Sequence, residues 1–264
     1  VTQSAQAIKG INGISAHEFF HLWNVKRIRP SELWPYDYQR EQYTTLHWFT
    51  EGVTDYYASL TQVRAGLISR TQFLETLARN LTGLENNPAS WKVSPAESSF
   101  NSWLSRSAYH PPYSRISYYS LGTRVGWMLD LKMRSESKGK YGLDDLFKVL
   151  YQEFYLKGNG VPEQEIQLQA EKLIGASLEN FFQNHVKGTE PIDYNAFLNP
   201  AGLYLDVYTR EDRPWYKIGI TRTSESEAGL HLEGIVPGSD AAQAGLSVGA
   251  VVIRIDGKPY AEFD

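Results

Sequence analysis

The residues best placed to do chemistry lie near the start of the chain, in His17-Glu18-Phe19-Phe20-His21. Histidines four apart share one face of a helix, so both imidazoles can reach a single metal ion at about 2.0–2.1 Å. Glu18 sits beside the first histidine, and in this pattern its carboxylate reaches a water on the metal rather than the metal itself. Zinc lowers the pKa of such a water to about 7, so a carboxylate suffices as general base and can pass the proton to a leaving amine. By residue frequency the pattern arises by chance in on the order of 1% of chains this long, so its surroundings decide what it means.

A catalytic zinc needs three protein ligands and an open position. Glu51, in Trp48-Phe-Thr-Glu-Gly-Val-Thr-Asp-Tyr56, is the best third candidate, because it lies on a second helical stretch far enough along the chain to turn back. Asp55 follows four residues later on the same face, where a carboxylate can accept the free ring N–H of a histidine ligand and fix its tautomer. Two alternatives stay open. Glu51 and Asp55 could form a solvated acidic face, or His47 could compete as the ligand.

The elements that must position these groups read as helices. The spacing predicts one over 11–25, closed off before Pro30, and another over 47–64 that stops at Gly66. Ser69 with Gln72 reads as a capping box opening a third, ended by Asn86-Asn87-Pro88. Residues 95–114 read as a long polar and aromatic loop. Leu121, Val125, Met128, Leu129 and Met133 form an apolar stripe within a helix over 117–134. Shorter helices are expected over 143–155, 162–174 and 178–186, with Gly175 and Gly188 at their ends. From Trp215 the texture changes to short β-type runs at 218–220, 230–236 and 251–255, separated by glycine-rich turns.

His17-Glu-Phe-Phe-His-Leu-Trp-Asn-Val-Lys-Arg-Ile-Arg-Pro30, followed by Trp48-Phe-Thr-Glu-Gly52, resembles the glycyl aminopeptidase family of metallopeptidases. Ile116-Ser-Tyr-Tyr-Ser-Leu-Gly122, Leu129-Asp-Leu-Lys-Met-Arg134 and Gly188-Thr-Glu-Pro-Ile-Asp-Tyr194 extend the likeness over nearly the whole chain. The resemblance implies one Zn2+ ion held by His17, His21 and Glu51, with Glu18 as base. It also implies a tyrosine, three residues before a glycine, that hydrogen-bonds the oxyanion. Tyr119 before Gly122 has that spacing, with a packed core tyrosine as the bland reading and Tyr118 as the neighbouring alternative. The expected fold class is α+β, with a mainly helical thermolysin-like zinc domain (1–203), a linker (204–214) and a β-rich module (215–264).

Residues 235–259 resemble a bacterial-type PDZ domain, truncated at its C-terminal end. Its carboxylate-binding loop and first strand would be Tyr216-Lys-Ile-Gly-Ile220, so Ile218, Gly219 and Ile220 are the expected contacts for a peptide C-terminus. The N-terminal β-rich region of the family has no counterpart in this sequence, and the chain reads as a fragment.

The expected partner is a peptide substrate. A net charge of −4 gives no reason to expect nucleic acid. The absence of cysteine excludes thiol nucleophiles, thiolate metal sites and disulfides, and leaves cytoplasm and periplasm equally open. No apolar run reaches the roughly 20 residues of a membrane span. His110 and His185 read as surface or capping residues, Tyr56 and Tyr57 as packing, and Trp23 and Asn24 as braces for the metal helix. The rival readings are a non-catalytic metal-stabilised scaffold with a peptide-binding module, and a zinc endopeptidase.

Overall fold

The computed structural model of the protein describes residues 2–104, 116–206, 215, 218–236 and 238–260. Its first part is helical. Helix α1 (Thr2–Phe20) carries the two histidines. A π-helical turn (Trp48–Gly52) runs into α2 (Val53–Arg64), followed by α3 (Arg70–Glu85) and the short α4 (Pro95–Phe100). Then come α5 (Tyr118–Glu136), α6 (Leu143–Glu153), α7 (Glu163–Ile174), α8 (Glu179–Phe182) and α9 (Tyr194–Leu198).

Helix α5 is the axis of the core. Its stripe of Leu121, Val125, Met128, Leu129 and Met133 is completely buried, and the helix packs on the π-helical turn, α2 and α3. At about 25 cal/mol per Å² of apolar surface removed from water, such residues supply most of the drive that holds the helices together. The expected capping box is present: the Ser69 hydroxyl accepts from the Gln72 N–H at 3.1 Å, and the Gln72 side chain accepts from the Ser69 N–H at 2.9 Å.

Several boundaries differ from expectation, each for a local reason. Helix α1 stops at Phe20 rather than at 25, because buried Asn24 turns the chain inward to bond another element. The stretch expected as loop over 95–114 begins with α4, which Ser94 caps by accepting from the Glu97 N–H at 3.1 Å; residues 105–115, including His110 and Pro111-Pro112, lie outside the described residues. Gly175 and Gly188 both directly follow helical ends as expected, Gly175 in the left-handed region after α7 and Gly188 with extended backbone after a π-helical turn (Gln183–Lys187) that continues α8. His185 is not a capping residue: its ring packs between Phe181 and Phe197. The helical part also runs past 203, since the Leu205 N–H bonds Asn195 Oδ1 at 2.8 Å and its side chain joins the core. Residues 207–214 of the expected linker lie outside the described residues.

The C-terminal part has its own small core of Ile220, Leu230, Leu232, Ile235 and Ala241. Strands β1 (Ile220–Ser226), β2 (Gly229–Ile235) and β3 (Val251–Val252) form an antiparallel sheet in that order, and β4 (Arg254–Ile255) pairs with β5 (Lys258–Pro259). Helix α10 (Asp240–Gln243) lies between β2 and β3. The strand expected at 218–220 instead starts at Ile220 and runs on through polar residues, whose side chains are mostly solvated. Tyr216 and Lys217 of the expected loop lie outside the described residues. The architecture is therefore mainly helical with a small antiparallel sheet at the C-terminal end.

Candidate metal centre

Helix α1 has two working faces. Phe20 points into an aromatic cluster, stacked on Tyr57 at 4.4 Å between ring centroids and edge-on to Phe147 at 5.2 Å. This anchor turns His17 and His21 towards the π-helical turn, with their rings edge to face at 4.6 Å.

Glu51 comes from that turn. Widening a helix to a π turn is locally unfavourable, and such turns concentrate at functional sites. Here the turn is held from three sides. Trp48 and Phe49 are buried. The Trp48 N–H donates to Ser99 Oγ at 2.8 Å. Gly52 lies against Gly122 of α5, backbone to backbone, and Thr123 Oγ1 donates to the Gly52 carbonyl at 3.2 Å.

The result is a convergent trio. Nε2 of His17 and Nε2 of His21 each lie 3.3 Å from Glu51 Oε2. Each ring is pinned at its other nitrogen. His17 Nδ1 donates to Asp55 Oδ1 at 2.7 Å, and His21 Nδ1 donates to the Asn24 carbonyl at 2.6 Å. Carboxylate and carbonyl oxygens only accept, so both Nδ1 atoms carry the proton and both Nε2 atoms face inward.

The charges follow from this geometry. Hydrogen bonds to Asp55 and then Glu51 raise His17 to about 9, against the opposing effect of burial. His21 is raised as well, chiefly by its hydrogen bond to Glu51. Burial pushes the Glu51 carboxyl up, yet hydrogen bonds from His17 and His21 outweigh it and hold the group down at about 2. A cation bound at the trio would displace protons, because an imidazole coordinates through an unprotonated nitrogen and a carboxylate coordinates ionised.

The donor set fits such a cation. A tetrahedral zinc with bonds of about 2.0–2.1 Å sets its ligand atoms about 3.3–3.4 Å apart. Two edges of the trio have that length, and all three candidate ligand atoms lie within 4.8 Å of one another. His47 is not part of the trio. Burial lowers its pKa, and its ring instead lies 5.2 Å from that of Tyr118.

Tyr119 rises beside the trio from the first turn of α5. Its ring lies 6.1 Å from that of His17, and a hydrogen bond from its phenol contributes to holding Glu51 low. Tyr118 stacks on it at 4.9 Å. Glu18 is exposed and makes no hydrogen bond or ion pair among the described residues.

Residues 11–125 match the M61 glycyl aminopeptidase family. That stretch contains His17, Glu18, His21, Glu51, Asp55 and Tyr119, so the matched region and the convergent trio coincide. The chain is also similar to a crystal structure of an aminopeptidase N family protein from Idiomarina loihiensis, with a TM-score of 0.74 and 25% identity. The match covers 96% of this chain and 45% of that one, so the present chain spans less than half of its structural relative. Among curated proteins none matches. Both similarities are to peptidases.

Three contributors to the site were not evident from residue type and spacing. They are the Gly52–Gly122 contact, the Ser99 bond to the π-helical turn, and the reach of Asn24 across to that turn. Gly122 enters the sequence reading only through its spacing from Tyr119 and Asn24 only as a brace for the metal helix, and nothing in the sequence signals the Ser99 bond.

Proposed function

We propose that this chain carries the active centre of a zinc aminopeptidase. His17, His21 and Glu51 hold one ion, Asp55 orients His17, Glu18 is the general base and Tyr119 is the oxyanion donor. The observation that carries this reading is the convergence of two pinned imidazoles on Glu51, each at 3.3 Å, beside a carboxylate with no structural partner among the described residues.

Zinc, when bound, polarises the scissile carbonyl and acidifies water. Glu18 removes a proton from the attacking water as its oxygen bonds to the carbonyl carbon. The same carboxyl then gives that proton to the amine nitrogen as the C–N bond breaks. Burial and the nearby Glu51 charge raise the Tyr119 pKa, so its phenol stays protonated near neutrality. It can then donate to the carbonyl oxygen as negative charge develops there, an interaction that favours the transition state over the ground state. A preference for small N-terminal residues, Gly or Ala, is the specificity that likeness to the glycyl aminopeptidase family supports.

The helical part then corresponds to a thermolysin-like catalytic domain, and residues 215–264 to a PDZ-like module. In the latter, the backbone of Ile218, Gly219 and Ile220 would receive a peptide C-terminus. Support comes from β1, which pairs only with β2 among the described residues, and from Gly219, whose φ of +90° precedes it. The Ile220 side chain is buried in the small core, so only its backbone is available.

The test is hydrolysis of aminoacyl and N-blocked peptides by the full-length protein, before chelation, after it, and after zinc is restored. Loss on chelation, recovery with one equivalent of zinc and fastest turnover of Gly or Ala termini are expected. Hydrolysis that survives full chelation would overturn the metal assignment. Cleavage of N-blocked peptides would make the protein an endopeptidase, and zinc binding with no hydrolysis would make it a scaffold.

A further inference from the structure

The segment that follows α1 contains a buried polar residue whose bonds run to both halves of the metal centre. Asn24 is fully buried. Its backbone carbonyl accepts from His21 Nδ1 at 2.6 Å. Its side-chain Nδ2 donates to the Phe49 carbonyl at 2.8 Å and to Thr54 Oγ1 at 3.1 Å. Phe49 belongs to the π-helical turn that carries Glu51, and Thr54, itself buried, donates to the Thr50 carbonyl in that same turn at 2.8 Å.

We infer that Asn24 is a positioning residue that sets the separation between His21 and Glu51. This inference rests on the zinc reading proposed above. One end of the residue orients the imidazole, and the other end fixes the turn that presents the carboxylate. The His21 Nε2 to Glu51 Oε2 distance is therefore defined across a single residue and not through the long connection over 25–47.

The side-chain chemistry is specific. Both partners, the Phe49 carbonyl on the turn and the Thr54 hydroxyl just beyond it in α2, present acceptor lone pairs, so the residue must donate twice, which an amide nitrogen can do and a carboxylate cannot. An aspartate of the same shape would set oxygen against the Phe49 carbonyl. A leucine would leave that carbonyl and the Thr54 hydroxyl short of a partner. The amide also keeps its Oδ1 buried without a partner among the described residues, which a residue serving only to fill space would avoid by being apolar. Loss of such orienting partners commonly costs about 10–100-fold in metal affinity.

The experiment compares Asn24→Asp, Thr54→Val and Thr54→Ser with the wild type and with Ile166→Val, a mild core substitution in α7. Zinc affinity is measured by chelator competition, the visible spectrum of the cobalt-substituted protein is recorded, and unfolding of the metal-free protein is followed in parallel. Asn24→Asp is expected to lose about 10–100-fold in zinc affinity and to alter the cobalt spectrum. Thr54→Val, which keeps the shape of its side chain, should lose several-fold, and Thr54→Ser should restore the wild-type value. The inference is overturned if Asn24→Asp and Thr54→Val weaken zinc no more than Ile166→Val does, whatever their effect on unfolding. A wild-type protein that binds no zinc would instead remove the underlying metal reading, a separate and recognisable outcome.

Discussion

Gly52 and Gly122 touch backbone to backbone: a Cβ placed on Gly52 would stand 2.4 Å from the Gly122 Cα, and one on Gly122 would stand 2.1 Å from the Trp48 carbonyl oxygen. No real Cβ tolerates such distances, and the atoms it would meet are main chain and cannot swing away. This contact brings the first turn of α5, with Tyr119, against the turn that carries Glu51. Gly122→Ala should therefore push α5 and the π-helical turn apart. A loss of roughly 1–3 kcal/mol in stability is expected from overpacking, with a larger proportional loss of turnover as Tyr119 and Glu51 separate. Denaturant unfolding beside peptide hydrolysis measures both, and unchanged values would show that the contact is slack.

Asp55 bonds His17 Nδ1 at 2.7 Å while its side chain remains partly open to solvent. Replacing it removes an orienting acceptor without opening a core cavity. Asp55→Ala should weaken zinc by about 10–100-fold, and Asp55→Asn by less, since the amide oxygen still accepts. Competition with a chelator reads the difference. Affinity within twofold of wild type for both variants would show that Asp55 is only part of an acidic surface.

The trio itself was legible in the sequence because helical spacing fixes which side chains share a face. His17 with His21, and Glu51 with Asp55, each lie four residues apart, and that interval survives small errors in helix boundaries. The Glu51 stretch does so even though it begins as a π-helical turn and not as the regular helix its spacing predicts. What spacing cannot convey is how the two elements meet. The Gly52–Gly122 approach and the Asn24 bonds join residues far apart in the chain, and no local pattern announces them. Helix α4 was hidden for a different reason. Its polar composition resembles a loop, and its Ser94 cap with Pro95 at the first helical position is a short signal easily lost among neighbouring serines. The β-type runs were located by their apolar residues, so the solvated extension of β1 to Ser226 went unread.

Asp144 gives the helical part a calculable response to acid. Burial raises its carboxyl, but hydrogen bonds from Arg64 and Tyr57, with the Arg64 and Arg134 charges, outweigh this and leave it below the ordinary value of 3.8. A group lowered on folding adds stability that is present above its unfolded pKa and is lost as pH falls through the folded one. The advantage of the wild type over Asp144→Asn should therefore be constant from about pH 5 to 7 and shrink below about pH 4. Urea unfolding at a series of pH values provides the check. An advantage that grows on acidification would contradict the sign.

Tyr119→Phe removes only the phenolic hydroxyl from a half-open side chain, so the fold should survive. If the hydroxyl meets charge that appears only in the transition state, kcat falls by about 10²–10³ while KM changes little. Zinc affinity should change far less than turnover does. A rise in KM at constant kcat would instead make Tyr119 a substrate-binding residue.

In the proposed mechanism the exposed Glu18 works on water while the two flanking histidines hold the metal. Glu18→Gln is nearly isosteric and takes away only the capacity to accept a proton. Zinc content and peptide turnover, measured on the same preparation of the full-length variant, test that division of labour most directly. One zinc per chain and a loss of turnover of about 10²–10⁴-fold are expected. Undiminished turnover at full zinc occupancy would contradict the mechanism.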